Sequence, residues 1–418
     1  MLENYYRTKR TLADFRRGPL GPHFDGFADY LTKKGYCYEL AIATLGRCCA
    51  FNYFLVEQGI TSCKSIRSSL VEPFLSVCLP EHQNVKKDPS RINVTSALKK
   101  LFAYLIEAGI IQPEIKKPVI KPYSWMMEPY LGYLREDCER TELTIERTRK
   151  SLISFLDGLG EKVHRKQMKS LKAIVIEEYV KKHLHDSRSN LQVLACTLRG
   201  FLKFCASRKY TADDLSGVIP TIPSYRLASL PQGVEESALQ RTLKAVSNDT
   251  PTGFRDYAIM LVMMAYGIRG KQAAELLLED INWERSTIRI RAMKGGKEVL
   301  LPLLESVGEA ILRYLRHRPK SSLRQIFLST KAPFGTLSSL DIGLRIRTYM
   351  SKAGTKMPGG GSRALRHSWA IRALAQDNPM KAIADVMGHR SLDTTFIYAK
   401  ADLKTLRQVV MPWVGVKS

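Results

Sequence analysis

The apolar positions of this chain follow helical spacing over most of its length. Between 24 and about 111, Phe27, Tyr30 and Leu31 make one apolar face, Phe51, Phe54 and Leu55 a second, and Leu101, Tyr104 and Leu105 a third. A proline-punctuated stretch follows at 118–122, and then a similar pattern returns. Tyr130, Leu131, Tyr133 and Leu134 echo Phe27 to Leu31, and Phe155-Leu156 echoes Phe54-Leu55 at an offset of 101. Phe201 to Phe204 echoes Phe102 to Leu105 at an offset near 99. This pattern predicts two tandem helical modules, at 23–117 and 123–217, related by internal duplication. Two unrelated helical bundles are the alternative reading.

Residues 1–22 are basic and broken by Gly and Pro, which predicts an extended arm, and Pro220, Pro223 and Pro231 mark a linker at 218–232. Beyond it, Phe254 to Ile259 opens an apolar helix that runs to Gly267. After Ile268-Arg269 a helical stretch extends to Leu278. Alternation at 287–292 predicts a strand, 293–296 a glycine turn and 297–302 its partner strand. Leu312 and Leu315 lie on a basic helix, and 326–329 reads as a short strand. The fold class is therefore mainly α with a small antiparallel β-sheet near the C-terminal end, α+β.

The stretch 359–400 carries the densest chemistry. It opens with three glycines and Ser362, a good helix N-cap. The helix after it puts Arg363, Arg366 and His367 on one face, at i, i+3 and i+4. Leu365, Trp369 and Ala373 form another face, expected to be buried. Asn378-Pro379 starts a second helix, with Ile383, Val386 and Met387 apolar and Gly388 as its stop. His389 sits on the bend just past it. A third short helix, opened by Ser391 or Asp393, carries Tyr398. Guanidinium, imidazole and phenol groups thus lie on consecutive elements that can converge on one anionic centre.

At 418 residues the chain can hold two or three domains with their own cores. Its formal net charge of +25 points to a polyanionic partner, nucleic acid ahead of a membrane surface. The excess is spread out: 29 Lys/Arg against 16 Asp/Glu from Glu235 onward, and 36 against 24 before it. That distribution fits contact with nucleic acid along the whole chain; a merely soluble basic protein is the alternative. The eight cysteines all precede residue 206 and form no C-x-x-C pair, so no zinc site is expected. No signal peptide or apolar run of membrane-spanning length is read from the sequence. The thiols are expected to be reduced and packed as small hydrophobes.

The 359–400 stretch resembles the C-terminal motif of the tyrosine recombinases, the phage integrase family. That motif reads His-x-Leu-Arg-His, then Leu-Gly-His, then a nucleophilic Tyr about nine residues on. Leu365-Arg366-His367, Met387-Gly388-His389 and Thr394-Thr395-Phe396-Ile397-Tyr398 match in order and spacing. One position departs: Arg363 stands where the family usually has His. After the basic arm at 1–22, both helical modules, at 23–117 and 123–217, resemble the family's DNA-binding (core-binding) domain, one more than its minimal plan. Beyond the linker at 218–232 the resemblance implies a catalytic domain at 233–401.

Cleaving and rejoining a DNA strand without cofactor or metal needs a nucleophile, cations around the non-bridging phosphate oxygens, and a proton donor for the leaving 5′ oxygen. Guanidinium forks suit the spread negative charge of that transition state. By resemblance, Arg269 and Arg366 are the two phosphate arginines. Lys294 is the general acid in the glycine turn, with Lys297 its competitor, and neighbouring cations lower its pKa toward a useful range. Tyr398 is the nucleophile, giving a 3′-phosphotyrosyl bond and a free 5′-OH. His389 binds the scissile phosphate or holds the nucleophile in place. His367 is a supporting or a structural residue. Gln272 stands where an acid often orients the first arginine, which an amide can do only through neutral hydrogen bonds. Arg363 cannot accept the tyrosine proton that the family's His is thought to take. It acts either as a third phosphate clamp, with His389 or water taking the proton, or as the mark of a chain that binds DNA without cutting.

The implied function is a site-specific DNA recombinase of integrase or transposase type, mobilising a genetic element. Its partners would be double-stranded DNA and three further copies of itself in a tetramer on two DNA sites, with an accessory or sister recombinase also admitted. No membrane partner and no cofactor are expected, and the location is bacterial cytoplasm, at the nucleoid when DNA-bound. The alternatives are a catalytically silent DNA-binding regulator or partner-dependent subunit, and a type IB topoisomerase. In the tail at 402–418, Leu403, Leu406, Val410 and Trp413 recur at helical spacing. That tail either packs on its own domain or, as the resemblance implies, is exchanged with a neighbouring protomer.

Overall fold

The computed structural model describes residues 1–79, 89–114, 121–223, 233–293, 297–355 and 361–401. Helices dominate, and the described residues contain one three-stranded antiparallel sheet, as the α+β reading expects. By compactness the chain forms two units, Met1–Glu114 together with Ser229–Ser418, and Ile115–Ala228.

The N-terminal part of the first unit is built on the helices Phe24–Lys33, Tyr38–Glu57, Val71–Cys78 and Pro89–Glu107. Phe27, Leu31, Leu45, Phe51, Leu55, Leu98, Leu101 and Leu105 make its core. The arm expected to be extended at 1–22 is folded instead: Lys9–Phe15 is a helix, and Leu2, Phe15 and Leu20 are buried in that core. Widely spaced apolar anchors among many cations hide such a segment from a composition reading. The Tyr38–Glu57 helix is long and apolar enough to cross a membrane by length and composition, contrary to the sequence reading. Ala41, Leu45, Cys48, Phe51 and Leu55 are buried along it, so its apolarity serves the core of this part.

The second unit repeats the series. Helices beginning at residues 24, 38 and 89 in the first part have counterparts beginning at 124, 142 and 188. Both parts use a glycine to admit a tyrosine between helices. A Cβ at Gly26 would collide with the Tyr104 hydroxyl, and one at Gly200 with the Tyr130 hydroxyl. All eight cysteines are free; Cys48, Cys49, Cys63 and Cys205 are buried as expected, whereas Cys37, Cys78 and Cys196 are exposed.

In the C-terminal part, the Pro251–Tyr266 helix is the central element. Thr250 caps it by accepting the Gly253 N–H, and Ala258, Ile259, Val262 and Met263 are buried along it. Its Arg255 is fully buried and paired with Asp256, whose second oxygen accepts from Arg345 (3.0 Å) and from the Tyr349 hydroxyl (2.9 Å). These bonds tie the Pro251–Tyr266 helix to the Ser339–Lys352 helix. A buried charge is tolerable when it is paired in this way.

The sheet consists of β1 (Ile281–Asn282), β2 (Thr287–Ile290) and β3 (Val299–Pro302), with Ile288 opposite Leu301 and Ile290 opposite Val299. The hairpin strands are shorter than predicted. Beyond Ile290, Arg291 turns its guanidinium onto the buried Asp280, which also accepts from Arg289. β1 has only two residues, too short for alternation to reveal. No strand forms at 326–329; only the isolated bridges Leu277–Gln325 and Leu328–Thr336 occur there. Ile326, Phe327 and Leu328 are fully buried, so that apolar run belongs to a core loop.

Candidate active site

Gly267 ends the central helix in the left-handed conformation, at φ 60°. A Cβ there would lie 2.6 Å from the Trp369 indole, so both the backbone and the close approach call for glycine. The turn sets Arg269 at the N-cap of the Gly270–Glu275 helix. Its backbone N–H donates to Gln272 Oε1 (3.0 Å), and Gln272 Nε2 donates to the Arg291 carbonyl (3.1 Å). The amide therefore braces the Arg269 backbone against the end of β2 rather than orienting its guanidinium.

The Gly361–Ala375 helix carries Arg363 on its exposed side and Arg366 on its buried side. Its inward face is formed by Ala364, Leu365, Ser368, Ala370 and Leu374. Trp369 and Ala373, expected to be buried, are only partly so. The Trp369 indole N–H reaches the Ala265 carbonyl at the rim (2.8 Å). Arg366 Nη1 donates to the Gly267 carbonyl (2.8 Å), and Nη2 donates to the Met387 carbonyl (3.0 Å). The same Nη2 lies 2.7 Å from His389 Nε2, and His389 Nδ1 lies 2.7 Å from Thr395 Oγ1. An arginine can only donate. His389 therefore accepts at Nε2 and donates its Nδ1–H to the threonine.

Gly388, at φ 60°, closes the Met380–Val386 helix and delivers His389 into this network. The predicted third helix is two short turns, Leu392–Thr394, capped by Ser391, and Phe396–Ala401. The second turn presents Tyr398, only 2% exposed. Its hydroxyl lies 2.9 Å from His367 Nδ1. The sequence reads His367 as a supporting or structural residue, whereas the structure sets it against the phenol; its same-face spacing with Arg363 and Arg366 is the signal that points there.

Charge around the phenol is one-sided. Burial raises the Tyr398 pKa above its ordinary 10, while Arg366, Arg269 and Arg363 pull it back down. Burial, with Arg269 adding to it, lowers Arg366 to about 10. His389 falls from 6.5 to about 4 through burial and then Arg366 and Arg269, so it is neutral at pH 7. His367 is lowered by burial, then by Arg363 and Arg366. Among the described residues no carboxylate pairs with Arg269, Arg363 or Arg366, in contrast to Arg255 and Asp256. Uncompensated guanidinium groups around a buried oxygen make a ready anion site.

Lys294 lies outside the described residues. Lys297 is exposed, and a Cβ at Gly388 would stand 3.2 Å from its carbonyl, so this side of the hairpin adjoins the His389 turn. The described residues contain no group of three His, Cys, Asp or Glu placed to hold a metal ion.

Residues 233–404 match the phage integrase family. The Sinorhizobium fredii protein named "Putative integrase/recombinase y4rA" is 30% identical over 407 residues, covering 95% of each chain. The tyrosine recombinase XerD of Xanthomonas campestris is 33% identical over 233 residues, 52% of this chain and 70% of that protein. Among solved structures, a lambda integrase dimer bound to a COC′ core site aligns with TM-score 0.55 at 15% identity, over 79% of this chain and 91% of that one. XerH bound to its palindromic difH substrate aligns with TM-score 0.52 at 16% identity, over 70% and 97%. The fold, the helical domain with its small sheet, is that of a tyrosine recombinase catalytic domain. The chain belongs to the phage integrase family and is a tyrosine recombinase.

Proposed function

We infer that this enzyme is a site-specific DNA recombinase that cleaves and rejoins strands through a 3′-phosphotyrosyl bond, with Tyr398 as nucleophile. The observation that carries this reading is the Tyr398 hydroxyl set among three arginines that lack carboxylate partners in the described structure. A phosphodiester entering there supplies the missing negative charge. Arg269 and Arg366 then hold its non-bridging oxygens, and Arg363, at the exposed edge, adds a third contact. The Gly267 and Met387 carbonyls and His389 fix the Arg366 guanidinium before substrate arrives, which is the preorganisation electrostatic catalysis requires. Attack by the phenol releases the 5′ oxygen, which Lys294 protonates.

The two helical modules, at 23–117 and 123–217, contribute further DNA contacts, in keeping with the +25 charge spread over the chain. The working assembly is a tetramer on two DNA sites, with the 402–418 tail exchanged between protomers. The open groove lined by Met264, Trp369, Ala373, Ala382 and Val386 is the acceptor surface for that tail. Mobilisation of a genetic element is the biological role this reading assigns.

The deciding experiment incubates nicked duplexes, drawn from DNA flanking the gene, with the wild type and Tyr398→Phe in the presence of chelator. A covalent protein–DNA band on a denaturing gel that requires Tyr398 and no metal supports the reading. Tight, sequence-specific binding without a band would favour a regulatory role.

A further inference from the structure

The departure at position 363 leaves a chemical vacancy. A phenol attacking phosphorus must lose its proton, and the residue standing where the family usually has His is an arginine that has none to gain. His389 does not fill this role, because both of its ring nitrogens are engaged. Nε2 accepts from Arg366 (2.7 Å), and Nδ1 donates to Thr395 Oγ1 (2.7 Å). His367, four residues after Arg363 on the same helix, is differently placed. Its Nδ1 stands 2.9 Å from the Tyr398 hydroxyl, with the rings tilted 58° at a centroid distance of 5.5 Å.

Resting on the reading of Tyr398 as nucleophile, we propose that His367 is the catalytic residue that accepts the Tyr398 proton. The phenol O–H donates to Nδ1, which requires the tautomer protonated at Nε2. The Tyr398 oxygen forms its bond to phosphorus as the P–O5′ bond breaks. The phenolic proton passes to His367 Nδ1, and the leaving 5′ oxygen takes its proton from the cationic side chain assigned above, Lys294. Religation runs the same transfers backwards, with His367 returning its proton to the tyrosine oxygen.

The surroundings suit this exchange. Among the described residues, Arg363 and Arg366 on the same helix and Tyr398 on the facing turn are the titratable groups that bear on the imidazole. Burial, and then the two cations, keep it neutral, hence ready to accept, before attack. The negative charge that builds on the phosphoryl oxygens offsets the imidazolium formed during it. His367 itself is only half-buried. Arg363 and His367 thus divide the work at this site, one clamping phosphate and the other moving the proton.

The test uses the full chain on nicked duplex, with single-turnover formation of the covalent adduct as readout. His367→Ala is expected to lower the rate about 100-fold, in the range of general-base contributions, while sequence-specific DNA binding stays unchanged. Added imidazole, or a higher pH that ionises the phenol directly, is expected to restore much of the lost rate. His367→Asn, which keeps an acceptor near the Nδ1 position but cannot carry the proton, should be as slow as His367→Ala. Wild-type rates in His367→Ala overturn the proposal. So does recovery in His367→Asn, or a loss that neither imidazole nor pH relieves, since either would mark a structural role. A wild type that forms no Tyr398-dependent adduct overturns the recombinase reading itself and is thereby distinguished from these results.

Discussion

Nη2 of Arg366 lies 2.7 Å from Nε2 of His389, so a guanidinium and an imidazole on separate elements act as one unit. The same guanidinium holds the carbonyls of Gly267 and Met387, and so locks together the ends of two helices. Lysine presents no planar fork and cannot reproduce those three contacts. Arg366→Lys is expected to lower adduct formation by roughly 100-fold or more. Single-turnover kinetics on nicked duplex, together with a denaturant melt, will separate this catalytic loss from the loss of stability.

The low pKa of His389 makes stability depend on pH. Its pKa falls from 6.5 to about 4 on folding, so between those values the unfolded chain binds the extra proton and folding is opposed. The stabilising contribution is complete above pH 6.5 and is lost as pH falls toward 4; its full size is roughly 3 kcal/mol. The lowered pKa of His367 acts in the same direction. His389→Gln should therefore flatten the acid side of a melting-temperature profile measured between pH 4 and 7.5. A profile as steep as the wild type's would place the acid sensitivity elsewhere.

Arg363 is exposed, so replacing it should test chemistry rather than folding. Arg363→Ala is expected to slow adduct formation at least about tenfold, as the loss of one charge-assisted phosphate contact. Arg363→His should retain most activity, because histidine still reaches the phosphate. Equal losses in both variants would remove this position from phosphate binding.

Gly267 combines a left-handed backbone with contact against Trp369. Gly267→Ala is expected to cost about 1–3 kcal/mol in a denaturant melt. Adduct formation should fall with it, because the same residue supplies a carbonyl to Arg366.

Ala382 lies exposed in the groove beside Trp369 and Val386. Ala382→Arg and deletion of 402–418 are both expected to leave the monomer folded and to reduce tetramers on DNA. Light scattering of the protein–DNA complex measures this; unchanged assembly in the deletion variant would exclude tail exchange.

What the sequence determined by itself was local. Helical periodicity, Ser and Thr caps, and glycines at Gly267 and Gly388 depend on neighbours a few residues away, and they set Arg269, Arg366, His389 and Tyr398 on successive elements. Family spacing then linked those residues. Tertiary packing alone decided which atoms meet. Arg363 and His367 share one helical face, and only the seating of the Phe396–Ala401 turn brings the phenol to the imidazole. The fold of residues 1–22, the Gln272 brace and the Arg255–Asp256 pair were likewise invisible, because each contact joins residues far apart in the chain or turns on burial. Local pattern fixes where a side chain leaves the backbone; its partner and its protonation state follow from the rest of the folded molecule.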